Sequence, residues 1–425
     1  MSRRAADEIL FLPCAAGVEQ LLEAEVRKIL GGDVRCTPSR GGVAVRDSAG
    51  RARMHALRLN LWSRLAQRVL WRVAEGPYRD ETDVLAYARS VRWIDWITPR
   101  QTLRVDVTAQ RSPLRSLRFA ALRVKDGLCD AMRDATGERP SVDTRRPDLP
   151  LVLHLGEQEL ALYVDTSGEA LFKRGWRDDQ GEAPLKETLA AALLAAADWR
   201  GRDSDGALLD PCCGAGTIAI EAAQIACGIA PGMQRRFAFE RQMPFRDLER
   251  DWHELHEAAR AAEHAPAVPV FASDVAFRMT DFTMRNAQRA GVAHALEVKT
   301  VDALQRPAPA ERGTLIVNPP YGERIGAKGA RGDRPVVERD ADGAGTPAAF
   351  FAQLAAHWKR HYAGWTAWVL SPDAKLPTVM RLKESRRVPL WNGPIECRLF
   401  RFDMVAGSAR RPRADDAATS AERSR

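Results

Sequence analysis

Apolar positions along the chain follow two rhythms, and the switch between them divides it. Ile9 to Pro13 is a short apolar run, Val18 to Leu30 an amphipathic stretch with Leu21, Leu22 and Ile29 on one face, and Gly42 to Arg46 a strand-like run after a Gly-Gly turn. These predict a small α+β unit. From Met54 to Trp71, Leu57, Leu61, Leu65 and Val69 recur at i, i+4, which predicts a second helix with an apolar face and with Arg58, Arg64 and Arg68 projecting elsewhere. Leu103 to Ala109 alternates as a strand and Ser116 to Met132 has helical spacing. Leu151 to Leu155 and Ala161 to Asp165 read as a hairpin around Gly156 to Glu159.

After a polar connector, Arg177 to Ala183, apolar strands that end in Gly or acidic residues alternate with helices, the pattern of a parallel sheet covered on both faces. The strands are Ala207 to Asp210, Val270 to Asp274, Leu296 to Thr300, Thr314 to Asn318 and Thr366 to Ser371. Arg387 to Trp391 and Ile395 to Phe402 flank an Asn392-Gly393 turn and predict a closing antiparallel hairpin. Gly228 to Pro269 reads as an inserted segment. Residues 326 to 347 read as a mobile Gly/Arg/Asp-rich loop, and those after 406 as a disordered basic tail.

At 425 residues the chain exceeds what one core organises, so two or three domains are expected. Its 45% apolar and 28% charged residues argue against fibrous and wholly disordered classes. No apolar run reaches the roughly 18 residues of a bilayer crossing, and the first ten residues lack a secretory signal, so a cytoplasmic protein with no membrane partner is expected. Seven cysteines without a C-x-x-C pair suggest reduced thiols rather than disulfides or a zinc knuckle. The net charge of +8 is concentrated, because residues 51 to 125 hold 16 basic against 6 acidic residues. Such a segment suits a polyanion; a solvated surface of mixed charge is the alternative. The tryptophans at 62, 71, 93 and 96 have core-like spacing.

Two stretches carry chemistry. Asp210-Pro-Cys-Cys-Gly-Ala-Gly-Thr217 follows a predicted strand and opens a helix, so its glycines let a ligand approach the helix N-terminus. It lacks the Lys of a phosphate-binding Walker loop, and Ala219 stands where a dinucleotide fingerprint has its third glycine. Asn318-Pro-Pro-Tyr321 lies at the carboxyl end of another strand. There the Asn318 amide oxygen and the Pro319 carbonyl can both face one amino group, Pro320 stiffens the turn, and Tyr321 offers a ring for a planar base. Two acceptors on an exocyclic amine favour the rehybridisation that lets it attack an electrophilic methyl. His253 with His256 and His357 with His361 lack the remaining ligands of a metal site, so no metal is expected.

Together these motifs resemble those of the class I S-adenosylmethionine-dependent methyltransferases that modify amino groups. Upstream, Phe11 to Glu25, Gly41-Gly42-Val43, Leu59 to Leu70, and Arg174-Gly-Trp-Arg177 followed by Ala183-Pro-Leu-Lys-Glu-Thr-Leu-Ala-Ala resemble the THUMP-bearing RNA methyltransferases. The similarity is greatest to the guanine-N2 methyltransferase half of bacterial enzymes acting on large-subunit (23S) rRNA, and spans about residues 9 to 403. It departs at Cys212-Cys213 and in the longer loop 326 to 347. Bifunctional members carry a second methyltransferase half; a single activity is expected here.

The resemblance implies an α/β catalytic domain over 167–405, with a Rossmann-like seven-stranded sheet and terminal antiparallel hairpin. It places an α+β ferredoxin-like unit over 1–53, a THUMP RNA-binding domain over 54–166 and a basic tail over 406–425. It implies S-adenosylmethionine as cofactor, with Asp210, Cys212, Gly214 and Gly216 at the methionine end, Asp274 on the ribose hydroxyls and Asp302 at the adenine amine. Thr188 and Lys186 would border the cofactor. Glu240 competes with Asp274 on spacing, but only Asp274 ends a predicted strand. Asn318, Pro319, Pro320 and Tyr321 would be catalytic, and Arg58, Arg64, Arg68 and Arg72 would grip RNA, either 23S rRNA or a pre-ribosomal particle. N6-adenine methylation of nucleic acid is the runner-up, and a non-catalytic RNA-binding or ribosome-assembly protein the reading from another class.

Overall fold

The computed structural model describes residues 8–181, 184–319 and 347–405. Its first part runs β1 (Glu8–Pro13), α1 (Glu19–Leu30), β2 (Arg35–Ser39), β3 (Gly42–Asp47), α2 (Ala52–Trp62), β4 (Leu70–Pro77), α3 (Glu81–Ser90), β5 (Thr102–Ala109), α4 (Leu117–Thr136), β6 (Ser141–Val142), β7 (Leu149–Leu155) and β8 (Glu159–Asp165). These strands form one eight-stranded sheet in the order β2-β3-β1-β4-β8-β7-β5-β6. The expected hairpin is the β7–β8 pair.

The long helix expected over Met54 to Trp71 stops at Trp62, and the chain re-enters the sheet as β4. A tertiary partner overrides the local pattern. The Glu25 carboxylate on α1 accepts from Ser63 Oγ at 2.6 Å and from the backbone N–H groups of Arg64 at 2.9 Å and Leu65 at 3.3 Å, capturing amides that would otherwise continue the helix. The apolar reading survives this change of conformation, since Leu57, Leu61, Leu65 and Val69 are all buried. The cationic face does not, because its spacing required an unbroken helix.

The second part runs α5 (Glu187–Ala196), β9 (Ala207–Asp210), α6 (Thr217–Ala226), α7 (Glu249–Ala261), β10 (Val270–Asp274), α8 (Phe277–Arg289), β11 (Leu296–Thr300), β12 (Gly313–Val317), α9 (Pro347–His361), β13 (Trp365–Ser371), α10 (Leu376–Met380), β14 (Arg386–Asn392) and β15 (Ile395–Asp403). Its seven-stranded sheet has the order β11-β10-β9-β12-β13-β15-β14. The first five strands are parallel, while β15 runs antiparallel to both β13 and β14. That is the doubly wound sheet with a closing hairpin read from the chain. The loop 326 to 346 and the tail after 405 lie outside the described residues.

One apolar core runs from Leu12 in the first sheet through Trp176 to Leu208 and Leu399 in the second. The inserted segment packs against the first part: Gly232 N donates to Leu61 O at 2.9 Å, Arg53 pairs with Asp247, and Phe245 meets Trp71 edge to face. A Cβ on Gly232 would come within 2.8 Å of the Leu61 backbone, so only glycine permits this approach. Trp71, Trp93 and Trp96 are core residues and Trp62 is half-buried.

Candidate active site

Strands β10 and β11 lie to one side of β9, and β12 and β13 to the other, so the order reverses between β9 and β12. In open α/β sheets a crevice forms at the carboxyl ends on either side of such a reversal. Register pairs Leu209 of β9 with Leu315 of β12. Asp210 ends β9 while Asn318 and Pro319 leave β12 beside it, so two motifs about a hundred residues apart meet at one edge.

The loop after Asp210 is held from below by β10 and α8. Cys213 N donates to Ser273 O at 2.8 Å, and Gly214 N to Asp274 Oδ2 at 3.0 Å. Thr283 Oγ1 donates to Gly214 O at 2.9 Å, and the buried Asn286 amide to Ala215 O at 3.0 Å. Gly214 and Gly216 have φ of 53° and 88°, the left-handed region that favours glycine. A Cβ on Gly216 would sit 2.8 Å from Thr283 Cγ2, whereas one on Gly214 would meet nothing within 4 Å. Gly216 is thus set by packing, and Gly214 leaves the outer face of the loop open to a ligand.

Electrostatics favour a cation there. Asp210 is almost fully buried, and burial pushes its carboxyl up to about 8, against a 3.3 Å hydrogen bond from Cys212 N. Burial also raises Asp274, opposed by backbone N–H groups including Gly214 and Ala276. Among the described residues no guanidinium or ammonium compensates either carboxylate. A ligand carrying positive charge would restore their ionised forms, and the free lone pairs of Asp274 can still accept hydroxyls. This donor set fits a cationic, ribose-bearing cofactor. Cys212 and Cys213 lie among these carboxylates; burial, then the Asp210 charge, holds both thiols well above their ordinary range, so both stay protonated.

Other expected residues lie on the elements around β9 and β10. Asp302 follows β11, neighbour of β10, and caps its own turn by accepting from Leu304 N at 2.9 Å. Thr188 is buried in the first turn of α5, which packs against α6. Lys186 is exposed, its ammonium 5.1 Å from the centre of the Phe172 ring. Glu240, the rival to Asp274, instead accepts from Phe237 N at 2.7 Å and closes a turn of the inserted segment. Pro320 and Tyr321 lie outside the described residues.

The four arginines expected to grip RNA do not form a shared face. Arg58 is exposed, but Arg64 Nη1 meets Glu221 Oε2 at 2.9 Å, Arg68 pairs with Asp165, and Arg72 with Glu75. Arg64 belongs to a buried triad, for Arg174 Nε also binds Glu221, at 2.9 Å, with side-chain exposures of 2% for Arg174 and 0% for Glu221. The triad ties the link between α2 and β4 to α6, the helix that follows the glycine loop. Arg177 makes a second tie, donating to Glu187 at 2.7 Å and to Thr217 Oγ1 at 2.8 Å. Local sequence pattern shows neither tie, although Arg174 and Arg177 belong to the Arg174-Gly-Trp-Arg177 motif that carries the resemblance. His357 lies 2.6 Å from the Arg306 carbonyl, a packing contact.

A doubly wound sheet with a terminal antiparallel hairpin and a glycine loop after its first strand defines the catalytic part as a class I methyltransferase fold. Comparison with known proteins narrows this. Residues 9–70 match the RlmL ferredoxin-like domain, 78–165 the THUMP domain, and 174–334 the RMKL-like methyltransferase domain, so the chain belongs to the THUMP-bearing class I methyltransferases. Ribosomal RNA large subunit methyltransferase K/L of Shewanella loihica is 35% identical over 361 residues, 84% of this chain and 48% of the relative. The protein of that name from Saccharophagus degradans is 34% identical over 424 residues, 96% of this chain and 52% of its own. The chain therefore spans about half the length of the relatives it matches. Among solved structures, SMU.472 in complex with SAH aligns with a TM-score of 0.79 at 24% identity, covering 96% of this chain and 100% of that one. A "possible methylase" from Clostridium difficile 630 aligns at 0.78 and 23%, covering 95% and 100%.

Proposed function

We propose that this chain is an RNA methyltransferase of the cytoplasm that moves a methyl group from S-adenosylmethionine to the N2 amine of a guanine in large-subunit rRNA. The observation that carries the reading is the convergence of the Asp210 loop and Asn318-Pro319 at the ends of adjacent parallel strands. Relatives named for large-subunit rRNA methylation over most of this chain support the substrate class.

When bound, S-adenosylmethionine supplies a methyl made electrophilic by its sulfonium centre. The chain's own contribution is orientation and electrostatics. Asp210 and Asp274 ionise against the cofactor's positive charge and hydroxyl donors, with Asp302 and Thr188 bordering it. The Asn318 amide oxygen and the Pro319 carbonyl accept the two hydrogens of the target amine. They would turn its lone pair toward the methyl carbon and stabilise the positive charge that develops on nitrogen as the nitrogen–carbon bond forms and the methyl–sulfur bond breaks, leaving a neutral thioether and a surplus N–H proton that passes to solvent. Tyr321 stacks on the base, which must leave its helix or loop to reach the site. The ferredoxin-like and THUMP parts hold the RNA while this happens.

Incubating the protein with labelled S-adenosylmethionine and unmodified bulk rRNA, then analysing the nucleosides, tests the reading. Label in N2-methylguanosine is expected. Label confined to N6-methyladenosine would move the activity to adenine, and absence of both cofactor binding and label would leave a non-catalytic RNA-binding protein.

A further inference from the structure

The arginines tied up in ion pairs leave open where this protein holds RNA, and the surface at the start of α4 supplies a candidate. Residues Val107 to Lys125 contain five basic residues and no acidic one. Arg111, Arg115 and Arg118 are all exposed, and among the described residues none of the three makes a salt bridge, whereas Arg123 and Lys125 approach Asp126. Interleaved with them, Leu117, Phe119 and Leu122 are 40%, 40% and 44% exposed on a helix whose other face buries Ala120, Val124 and Leu128. Arg123 lies over the Phe119 ring at 4.5 Å from its centre. Three guanidinium groups without a carboxylate partner are complementary in charge to a polyanion, since each can fork onto a phosphate.

The loop that presents this ridge is built rather than slack. The buried Tyr78 hydroxyl lies 2.7 Å from Ser112 Oγ and donates to Gly156 O at 2.6 Å, while Ser112 Oγ accepts from Leu114 N at 3.2 Å. Gln110 N donates to Leu155 O at 2.8 Å, and Ser116 Oγ caps α4 by accepting from Phe119 N at 3.2 Å. Arg111 adopts φ 56°, a left-handed conformation that is strained for arginine and is held by these neighbours. The backbone that carries the cations is thus largely set before any ligand arrives, which lowers the ordering cost of binding.

We propose that Arg111, Arg115 and Arg118, with Leu117, Phe119 and Leu122, form a binding ridge for an unpaired RNA segment of the substrate; this rests on the RNA methyltransferase reading. Cations alone would serve any polyanion. Exposed aromatic and aliphatic side chains between them add a surface only unstacked bases can use, because a duplex shows its phosphates and keeps its base faces covered. The ridge therefore grips a single-stranded flank or loop, phosphates on the arginines and bases on Phe119 and its neighbours.

Fluorescence anisotropy with the full chain tests this, using a labelled single-stranded RNA of about 20 nucleotides and the blunt duplex it forms with its complement. Arg115→Glu with Arg118→Glu should weaken both probes by roughly 30-fold or more near 0.1 M salt and lower the log–log salt slope by about 1.5. Phe119→Ala with Leu122→Ala should weaken the single strand about 10-fold and leave the duplex within about twofold. All four positions are exposed or face solvent, so the thermal midpoint should hold, and Arg58→Glu should change either affinity less than about threefold. Unchanged single-strand binding in both double variants, with methylation of rRNA by the parent protein intact, would assign the ridge to a protein partner and overturn the proposal alone. A parent protein that neither binds RNA nor methylates it would overturn the proposal together with the reading beneath it.

Discussion

Glu221 and Asp210 are both buried carboxylates of the catalytic domain, one on either side of the glycine loop, and their surroundings push them in opposite directions. Glu221 is held below its ordinary range because the Arg174 and Arg64 guanidinium groups more than offset its desolvation. Asp210 has no cation beside it among the described residues, and burial lifts it to about 8. A carboxylate that fixes the fold brings its counter-charge with it, whereas one left uncompensated at a sheet edge waits for a ligand to supply the charge. The contrast separates the architecture of this molecule from its chemistry.

The largest expected effect falls on the compensated side. Glu221→Ala leaves two buried guanidinium groups unpaired and should cost about 3–5 kcal/mol, visible as a lower thermal midpoint in calorimetry. A loss below about 1 kcal/mol would mean that water reaches the triad. On the other side, Asp210→Asn should leave the stability of the free protein unchanged or higher while weakening cofactor binding by roughly 30-fold. If both substitutions destabilised the fold equally, the two carboxylates would not differ as described.

The same contrast predicts opposite responses to pH. The raised Asp210 contributes stability that is full below its ordinary value of 3.8 and is lost as pH rises toward about 8. The lowered Glu221 contributes stability present above the ordinary carboxylate range and lost as pH falls through its folded value. Asp210→Asn should therefore flatten the decline in stability of the free protein between pH 5 and 8, and titration calorimetry of the parent in two buffers should show a proton released on cofactor binding near pH 7. No release would mean that the carboxylate is already ionised.

A smaller effect sharpens the description of the loop. Gly216→Ala places a methyl against Thr283 Cγ2 and at an unfavourable φ, which together should cost about 1–3 kcal/mol. Thr283→Ser, which keeps the hydroxyl bonded to Gly214 and removes the clashing carbon, should recover part of that loss. Smallest of all, Arg58→Ala should change stability by no more than about 0.5 kcal/mol, whereas Arg64→Ala should cost several times as much.

Much of the catalytic sheet was legible in the chain because its central strands β9, β10, β12 and β13 are short, largely apolar runs; observed and expected limits differ by about one residue at Gly313–Val317 and Trp365–Ser371. Asp210 and Asn318 could be placed for the same reason, since both end recognisable strands. Local pattern could not show partners. Arg64 reads as a surface cation until Glu221, 157 positions away, is seen to bind it. The helix from Met54 ends early because of Glu25 on another helix, a donor count that periodicity does not contain. Strands β2 and β4 escaped notice because Arg35–Ser39 is half polar and Leu70–Pro77 continues a helical spacing.

The most direct test is Asn318→Ala measured twice on one preparation, by titration calorimetry with S-adenosylmethionine and by single-turnover methyl transfer to rRNA. If Asn318 holds the target amine and Asp210 and Asp274 hold the cofactor, the dissociation constant should stay within about twofold while turnover falls about 100-fold or more. Equal losses in both, or full turnover, would contradict the division of labour between the two strand ends.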